Sequence, residues 1–258
     1  MNKVKIYYTE VYHEENRLGK TCDNRHKVEI INKGFLLATE INKHVWKSFR
    51  VLDLGAGTGI WTDFIINTFP RAEIVCGDLV PRHNEILKER FVNNPRVTVM
   101  PLDALHLPVN ELGKFDIILC GGPLYHCSVS DSKKIINQLG QVSKIHTLAF
   151  IDWLSEGSGT INWSLMSGKP VKNLGTTDKM FHYKSTAIMN KLFENTNARI
   201  YGHYGIDGIT RFIANEVNKY NEKELETYCT NIRKFWHTTA DLSEHSITVL
   251  LLQNETIY

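Results

Sequence analysis

The segment of this sequence that is best suited to binding a ligand contains three glycines, one at every second position. Gly55, Gly57 and Gly59 follow a short apolar run, residues 51–54, and precede a stretch with helical apolar spacing. Glycine reaches positive φ angles and lacks a Cβ, so a ligand can approach the backbone closely. Free N–H groups at the start of the following helix attract an electron-rich group. The pattern predicts a strand–turn–helix unit that binds a nucleotide-like cofactor; a purely structural tight turn is the alternative.

The glycine spacing differs from the dinucleotide fingerprint G-x-G-x-x-G, because the third glycine is at position 59 and position 60 is Ile. Asp78 lies 78 − 55 = 23 residues after Gly55. A ribose-binding acid stands at a similar distance in dinucleotide-binding proteins. A nicotinamide-dependent oxidoreductase therefore stays open as an alternative.

Strands and helices that alternate along the chain must position this turn. The predicted strands are residues 51–54, 73–77, 96–101, 115–120, 146–153, 198–206 and 246–253. The predicted helices are residues 26–45, 60–69, 81–92, 130–143 and 185–196. This alternation predicts an α/β fold with a doubly wound, mostly parallel, seven-stranded Rossmann-like sheet. Ligands bind at the carboxyl edge of such a sheet, where the glycine turn lies.

Two insertions interrupt the alternation, and no linker divides the chain. Residues 155–184 mix glycines with aromatic side chains, which is typical of a lid, and residues 209–240 are helical with charges of both signs. We expect one domain over residues 1–258. It would comprise a helical N-terminal cap (1–45), a cofactor-binding core (46–153), and substrate-side insertions with the last strands (154–258).

Four segments, in order, resemble the motifs of class I S-adenosylmethionine-dependent methyltransferases. The glycine turn, residues 53–59, resembles the first motif. Gly77-Asp78-Leu79 and Leu102-Asp103-Ala104 resemble the segments that meet the cofactor's ribose and adenine. Residues 120–126, Cys-Gly-Gly-Pro-Leu-Tyr-His, resemble the GPLYH-type fourth motif of the small-molecule enzymes. The Lys-Pro-Gly-Gly turn common before the fifth strand is missing from residues 142–146.

The resemblance implies methyl transfer from S-adenosyl-L-methionine, with S-adenosyl-L-homocysteine as product and a small-molecule acceptor. Arg17 is the candidate for the cofactor's methionine carboxylate, and a solvated surface arginine is the alternative. The other implied cofactor-binding residues are Asp53, Gly55, Ala56, Gly57, Thr58, Asp78, Leu79, Asp103, Ala104 and Cys120.

His126 is the candidate general base, since histidine titrates near neutral pH and this one follows the fourth strand. Tyr125 is the candidate wall of the acceptor pocket. In the alternative interpretation, His126 only shapes its loop and Tyr125 packs in the core. A non-catalytic cofactor-binding module would share every cofactor residue, so it also stays open.

Composition excludes several other classes. The chain has 258 residues, 42% of them hydrophobic, and a formal net charge of +2, which argues against global disorder and against a nucleic-acid partner. Five cysteines without a CxxC pair predict a reducing, cytoplasmic compartment and no metal site. No apolar run is long enough for a membrane span, and no pattern predicts the oligomeric state.

Overall fold

A computed structural model describes residues 24–44, 48–155, 182–206, 217–241, 243 and 245–252. The helices in this part of the chain are α1 (Asn24–Asn42), α2 (Ile60–Thr68), α3 (Pro81–Arg90), α4 (Val109–Leu112), α5 (Val129–Gln141), α6 (Thr186–Phe193) and α7 (Glu222–Arg233). The strands are β1 (Phe49–Leu54), β2 (Ala72–Gly77), β3 (Val97–Val99), β4 (Phe115–Cys120), β5 (Ser143–Ser155), β6 (Tyr183–Lys184), β7 (Ala198–Gly205) and β8 (His245–Leu252).

The strands form one sheet in the order β3-β2-β1-β4-β5-β8-β7. All neighbours are parallel except β8, which runs antiparallel to both β5 and β7. The prediction of a mostly parallel, seven-stranded, doubly wound sheet is confirmed. The two-residue strand β6 is an addition, paired with the end of β5.

Each face of the sheet is covered by helices, because its central strands are apolar on both sides. Leu36, Ile65 and Leu87, from α1, α2 and α3, pack on one face. Ile135 and Met189, from α5 and α6, pack on the other. All five are fully buried. Each such side chain contributes about 1.5–3 kcal/mol relative to exposure, so the two cores stabilise the sheet that carries the glycine turn.

Element boundaries shift by a few residues from the sequence predictions. The largest change in length is that of β5, which extends from Ser143 to Ser155 and so runs beyond the predicted residues 146–153. Pairing with β4 on one side and β8 on the other supports this added length. Tertiary pairing of this kind is not visible in the local pattern.

The helix α7 confirms the helical interpretation of part of residues 209–240. It begins with a capping box between Asn221 and Glu224. Leu225 and Cys229 pack against Val28 of α1. Residues 207–216 lie outside the described residues, as do residues 156–181, which make up most of the predicted lid. The division of the chain into cap, core and insertions stays a prediction.

None of the helices in the described part of the chain combines the length and apolar character that a membrane crossing requires.

Candidate cofactor and acceptor site

The glycine turn adopts the conformation that its sequence predicts. Gly55, Gly57 and Gly59 have φ angles of 74°, 56° and 91°, a region that L side chains rarely adopt. A Cβ built on Gly55 would lie 2.5 Å from the carbonyl oxygen of Gly121. The turn is thus pressed against the loop after β4, and Gly59 starts α2 from the left-handed region.

Asp78, at the end of β2, organises the loops around it. Its Oδ2 accepts a hydrogen bond from the Gly57 N–H at 3.0 Å, and its Oδ1 accepts one from the Val80 N–H at 2.9 Å. His83 Nδ1 lies 3.3 Å from Oδ1. Burial by itself raises the pKa of Asp78, but the His83 contact and the two backbone N–H groups outweigh it, and the net pKa is lowered. The carboxylate is therefore held ionised beside the glycine turn, with lone pairs left for a ligand.

Asp53 lies beneath the turn. Its side chain is buried, and its Oδ2 accepts a hydrogen bond from Thr62 Oγ1 at 2.7 Å. Burial raises its pKa to about 6, against the opposing effects of Thr62 and Lys33. The Thr62 contact ties the end of β1 to the first turns of α2, so the described geometry gives Asp53 a role in shaping the turn.

Asp53→Asn is expected to stabilise the protein at pH 8 by about 2–3 kcal/mol, with the gain shrinking toward pH 4. The folded-state pKa lies above the ordinary value, so ionisation opposes folding increasingly as the pH rises from about 4 to 6. Urea unfolding at pH 4.5 and pH 8 measures the difference. Asp63→Asn, on the exposed side of α2, is the control and should change stability by under about 1 kcal/mol. An equal effect of Asp53→Asn at both pH values would contradict the expectation.

The loop after β3 lies next to the Asp78 loop. The Leu102 N–H donates to the Asp78 carbonyl oxygen at 3.3 Å. Asp103 Oδ1 accepts from the Leu105 N–H at 2.9 Å, and the side chain is partly exposed. Ala104 is buried, and its carbonyl oxygen accepts from Gln138 of α5 at 3.2 Å. The structure thus brings together the two segments predicted to meet ribose and adenine.

Thr58, within the turn, and Cys120, at the end of β4, are both buried. Thr58 Oγ1 has no hydrogen-bond partner among the described residues. Burial raises the pKa of Cys120 well above its ordinary value, so its thiol is neutral. Cys120 therefore offers a ligand no charged side chain, and its predicted cofactor contact stays a proposal, as do those of Ala56 and Leu79.

The turn Pro123–His126 carries Tyr125 and His126 at the end of β4. The buried ammonium of Lys184 donates to the carbonyl oxygens of Leu124 at 2.6 Å and Cys127 at 3.1 Å. The His182 N–H donates to the Tyr125 carbonyl oxygen at 2.7 Å. Burial lowers the pKa of Lys184 to about 8. The short segment around β6 therefore fixes the turn that bears the predicted base, a role that the sequence did not indicate.

A buried ion pair lies beside this turn and was also missed. Lys33 of α1 forms a hydrogen-bonded ion pair with Asp152 Oδ2 of β5. Lys33 precedes Leu36 and Leu37 by three and four residues, so it shares their buried face of α1. Asp152 interrupts an apolar run. A charge at a buried position in each element was the signal that could have identified the pair.

His245, at the start of β8, completes this end of the site. Its ring centroid lies 5.8 Å from that of Tyr125, and its Nδ1 lies 3.9 Å from Glu29 Oε2 of α1. Arg17, the predicted contact of the methionine carboxylate, lies outside the described residues. The other predicted site residues gather at the carboxyl ends of β1, β2, β3 and β4.

Residues 51–145 match the family model described as "Methyltransferase domain". The matched residues include the glycine turn, Asp78, Asp103 and the turn with His126. The fold is that of the class I methyltransferases, which supports the resemblance seen in the motifs.

Two curated relatives match part of the chain. Malonyl-acyl-carrier protein O-methyltransferase 1 of Ilyobacter polytropus is 25% identical over 188 residues, covering 70% of this chain and 63% of the relative. The uncharacterized protein RP028 of Rickettsia prowazekii is 26% identical over 147 residues, covering 56% of this chain and 54% of that relative. The chain thus spans less than two thirds of the length of these relatives.

Solved methyltransferase structures share the fold. Magnesium protoporphyrin IX methyltransferase from Synechocystis PCC 6803, with bound SAH, superposes with a TM-score of 0.64 at 12% identity and covers 97% of this chain and 99% of its own. A SAM-dependent methyltransferase from Leishmania major gives a TM-score of 0.61 at 14% identity, and the superposition covers 96% of this chain and 82% of the other. At these identities the likeness concerns the fold alone.

Proposed function

We propose that the protein transfers a methyl group from S-adenosyl-L-methionine to a small-molecule acceptor. The observation that carries this proposal is Asp78, ionised at the end of β2 and bonded to the glycine turn through the Gly57 N–H. An ionised carboxylate in this place suits a ribose diol, since each of its oxygens keeps a further lone pair. The methyltransferase-domain match and the fold support the choice of cofactor.

The residues present fit this cofactor. The close approach of Gly55 to Gly121 leaves no room for a Cβ, which fixes the glycine turn against the loop after β4. The buried Thr58 hydroxyl, unpartnered among the described residues, is a further polar group at the turn. In our proposal Asp78 and Leu79 hold the ribose, and Asp103 and Ala104 meet the adenine.

When bound, S-adenosylmethionine supplies a methyl group on a positively charged sulfur, already activated for displacement. The protein's part is then to bind, align and exclude water, and positioning of this kind is worth about 7–11 kcal/mol. The turn Pro123–His126 is fixed by Lys184, and in our proposal its Tyr125 and His126 contact the acceptor. Tyr125 forms a wall of the acceptor pocket, and His126 accepts the proton of an acceptor hydroxyl or amine.

His126→Ala is expected to lower turnover of the acceptor about 10²–10⁴-fold at neutral pH, the usual contribution of a general base. Binding of S-adenosylhomocysteine should change little, because in our proposal His126 contacts the acceptor and not the cofactor. Methyl transfer measured from pH 6 to pH 9 tests both statements. Wild-type turnover across this range would show that His126 only shapes its loop.

Calorimetric titration with S-adenosylmethionine, S-adenosylhomocysteine and NADH tests the proposed function. We expect micromolar binding of both sulfur compounds and no binding of NADH. Binding of NADH alone would instead indicate a nicotinamide-dependent oxidoreductase. Binding of the sulfur compounds without methyl transfer to any acceptor would indicate a non-catalytic module.

A further inference from the structure

The buried ion pair between Lys33 and Asp152 has unused hydrogen-bonding capacity at the reactive end of the site. We infer that it binds the amino-acid end of the cofactor, with Lys33 at the carboxylate and Asp152 at the ammonium group. The inference rests on the proposed function, and it gives this chain a contact for the methionine carboxylate among the described residues.

The order of the strands sets the direction in which the cofactor extends. With the ribose at Asp78 on β2 and the adenine at Asp103 beyond β3, the 5′ substituent must leave toward β1 and β4. Neighbouring strands lie about 4.8 Å apart, so the end of β4 is about 10 Å from the end of β2. The amino-acid end therefore reaches the loop after β4.

The ion pair borders this loop. A Cβ built on Gly121 would lie 3.6 Å from Asp152 Oδ2, 3.7 Å from Lys33 Nζ and 4.0 Å from the Gly55 carbonyl oxygen. Trp61, in the first turn of α2, covers another side, with its ring centroid 4.5 Å from Lys33 Nζ. The charges of the pair thus lie beside Gly121, where the loop after β4 meets the glycine turn.

Both charges keep atoms without partners among the described residues. Asp152 Oδ1 is buried and accepts no hydrogen bond there. Lys33 Nζ donates one hydrogen bond, to Asp152 Oδ2, although an ammonium has three donors. Both side chains are more than nine-tenths buried, and unmet capacity at that depth is costly. A ligand that brings one acceptor and one donor would satisfy both.

A zwitterion meets this requirement without changing the local charge. The carboxylates of Asp53 and Glu29 and the imidazole of His245 also interact electrostatically with the pair. A lone anion would add to the excess of carboxylates in this group, whereas the ammonium and carboxylate of an α-amino acid cancel. The amino-acid end of the cofactor is such a zwitterion.

Three ligands separate the two contacts in calorimetric titrations. S-adenosylhomocysteine has both charged groups, its decarboxylated analogue has only the ammonium, and 5′-methylthioadenosine has neither. Lys33→Met should weaken the binding of S-adenosylhomocysteine about 10- to 100-fold. It should leave the affinities of the other two ligands within about twofold of the wild-type values. Asp152→Asn should weaken the binding of both ligands that carry the ammonium group and leave the affinity for 5′-methylthioadenosine unchanged.

Lys144→Met is the matched control, since it breaks another Lys–Asp ion pair. Lys144 Nζ of β5 lies 2.7 Å from Asp116 Oδ2 of β4, near the amino ends of the two strands. The substitution should leave all three affinities unchanged. If a single variant fails to fold, the double variant Lys33→Met/Asp152→Asn removes both charges, and it should bind S-adenosylhomocysteine no more tightly than 5′-methylthioadenosine.

Equal loss for all three ligands, or no loss for any, would overturn the inference. In the first case the pair would be purely structural, and in the second it would serve the acceptor or the core. Failure of the wild-type protein to bind any of the three would instead count against the proposed function.

Discussion

Asp78→Ala is expected to weaken binding of S-adenosylhomocysteine by at least about 100-fold. Two hydrogen bonds from the ribose to a charged acceptor would be lost, each worth about 1.5–3 kcal/mol. The substitution also releases the Gly57 and Val80 N–H groups that the carboxylate now holds. Calorimetric titration against the wild-type protein measures the effect.

Two further variants make this result interpretable. Asp78→Asn keeps the shape of the side chain but removes its charge. Its affinity for S-adenosylhomocysteine should therefore lie between those of the wild-type and Asp78→Ala proteins. Asp63→Ala removes a carboxylate from α2 that pairs with Arg90, away from the ribose, and should bind normally. A folded Asp78→Ala protein with affinity within about threefold of wild type would refute the assigned role of Asp78.

Gly77→Ala is expected to destabilise the protein by about 3 kcal/mol or more, the upper range for a forced overpacking. A Cβ on Gly77 would lie 1.8 Å from the Met100 carbonyl oxygen, which is backbone and cannot rotate away. The loop after β3 would have to move, and the spacing between Asp78 and Asp103 would change. Thermal unfolding and S-adenosylhomocysteine titration should both show the damage.

Gly140→Ala is the matched control for that substitution. Gly140 lies within α5, and no atom stands within 4 Å of a Cβ built there. Alanine in a helix loses less conformational entropy on folding, so the control should be neutral or stabilising by up to about 1 kcal/mol. Equal stability of the Gly77→Ala and wild-type proteins would show that the loop after β3 yields easily.

The fold and most of the cofactor residues were predictable because their causes are local. The glycine turn requires positive φ at three positions, and the structure has them. The apolar run of β4 identifies a strand buried on both faces, and Asp78 follows directly after β2. Such signals depend on neighbours in the chain, so one sequence is enough to read them.

The acceptor side was only partly predictable because its contacts join distant parts of the chain. Lys33 and Asp152 are 119 positions apart, and Lys184 reaches Leu124 across 60. The sequence pattern predicted the helix α1 and the strand β5, yet it could not show which charged side chain of one would meet which of the other. The packing of α1 on β5 and the pairing of β6 with the end of β5 decide those meetings.

The sequence by itself determined the doubly wound sheet, the glycine turn at its carboxyl edge and the acid at the end of β2. Each follows from backbone preference or from the alternation of apolar residues. Only the tertiary structure decided that Asp53 lies beneath the turn, that Lys184 fixes the turn of His126, and that Lys33 is paired with Asp152. Burial and long-range pairing set these roles, since a charge in the interior is stable only where folding brings it a partner.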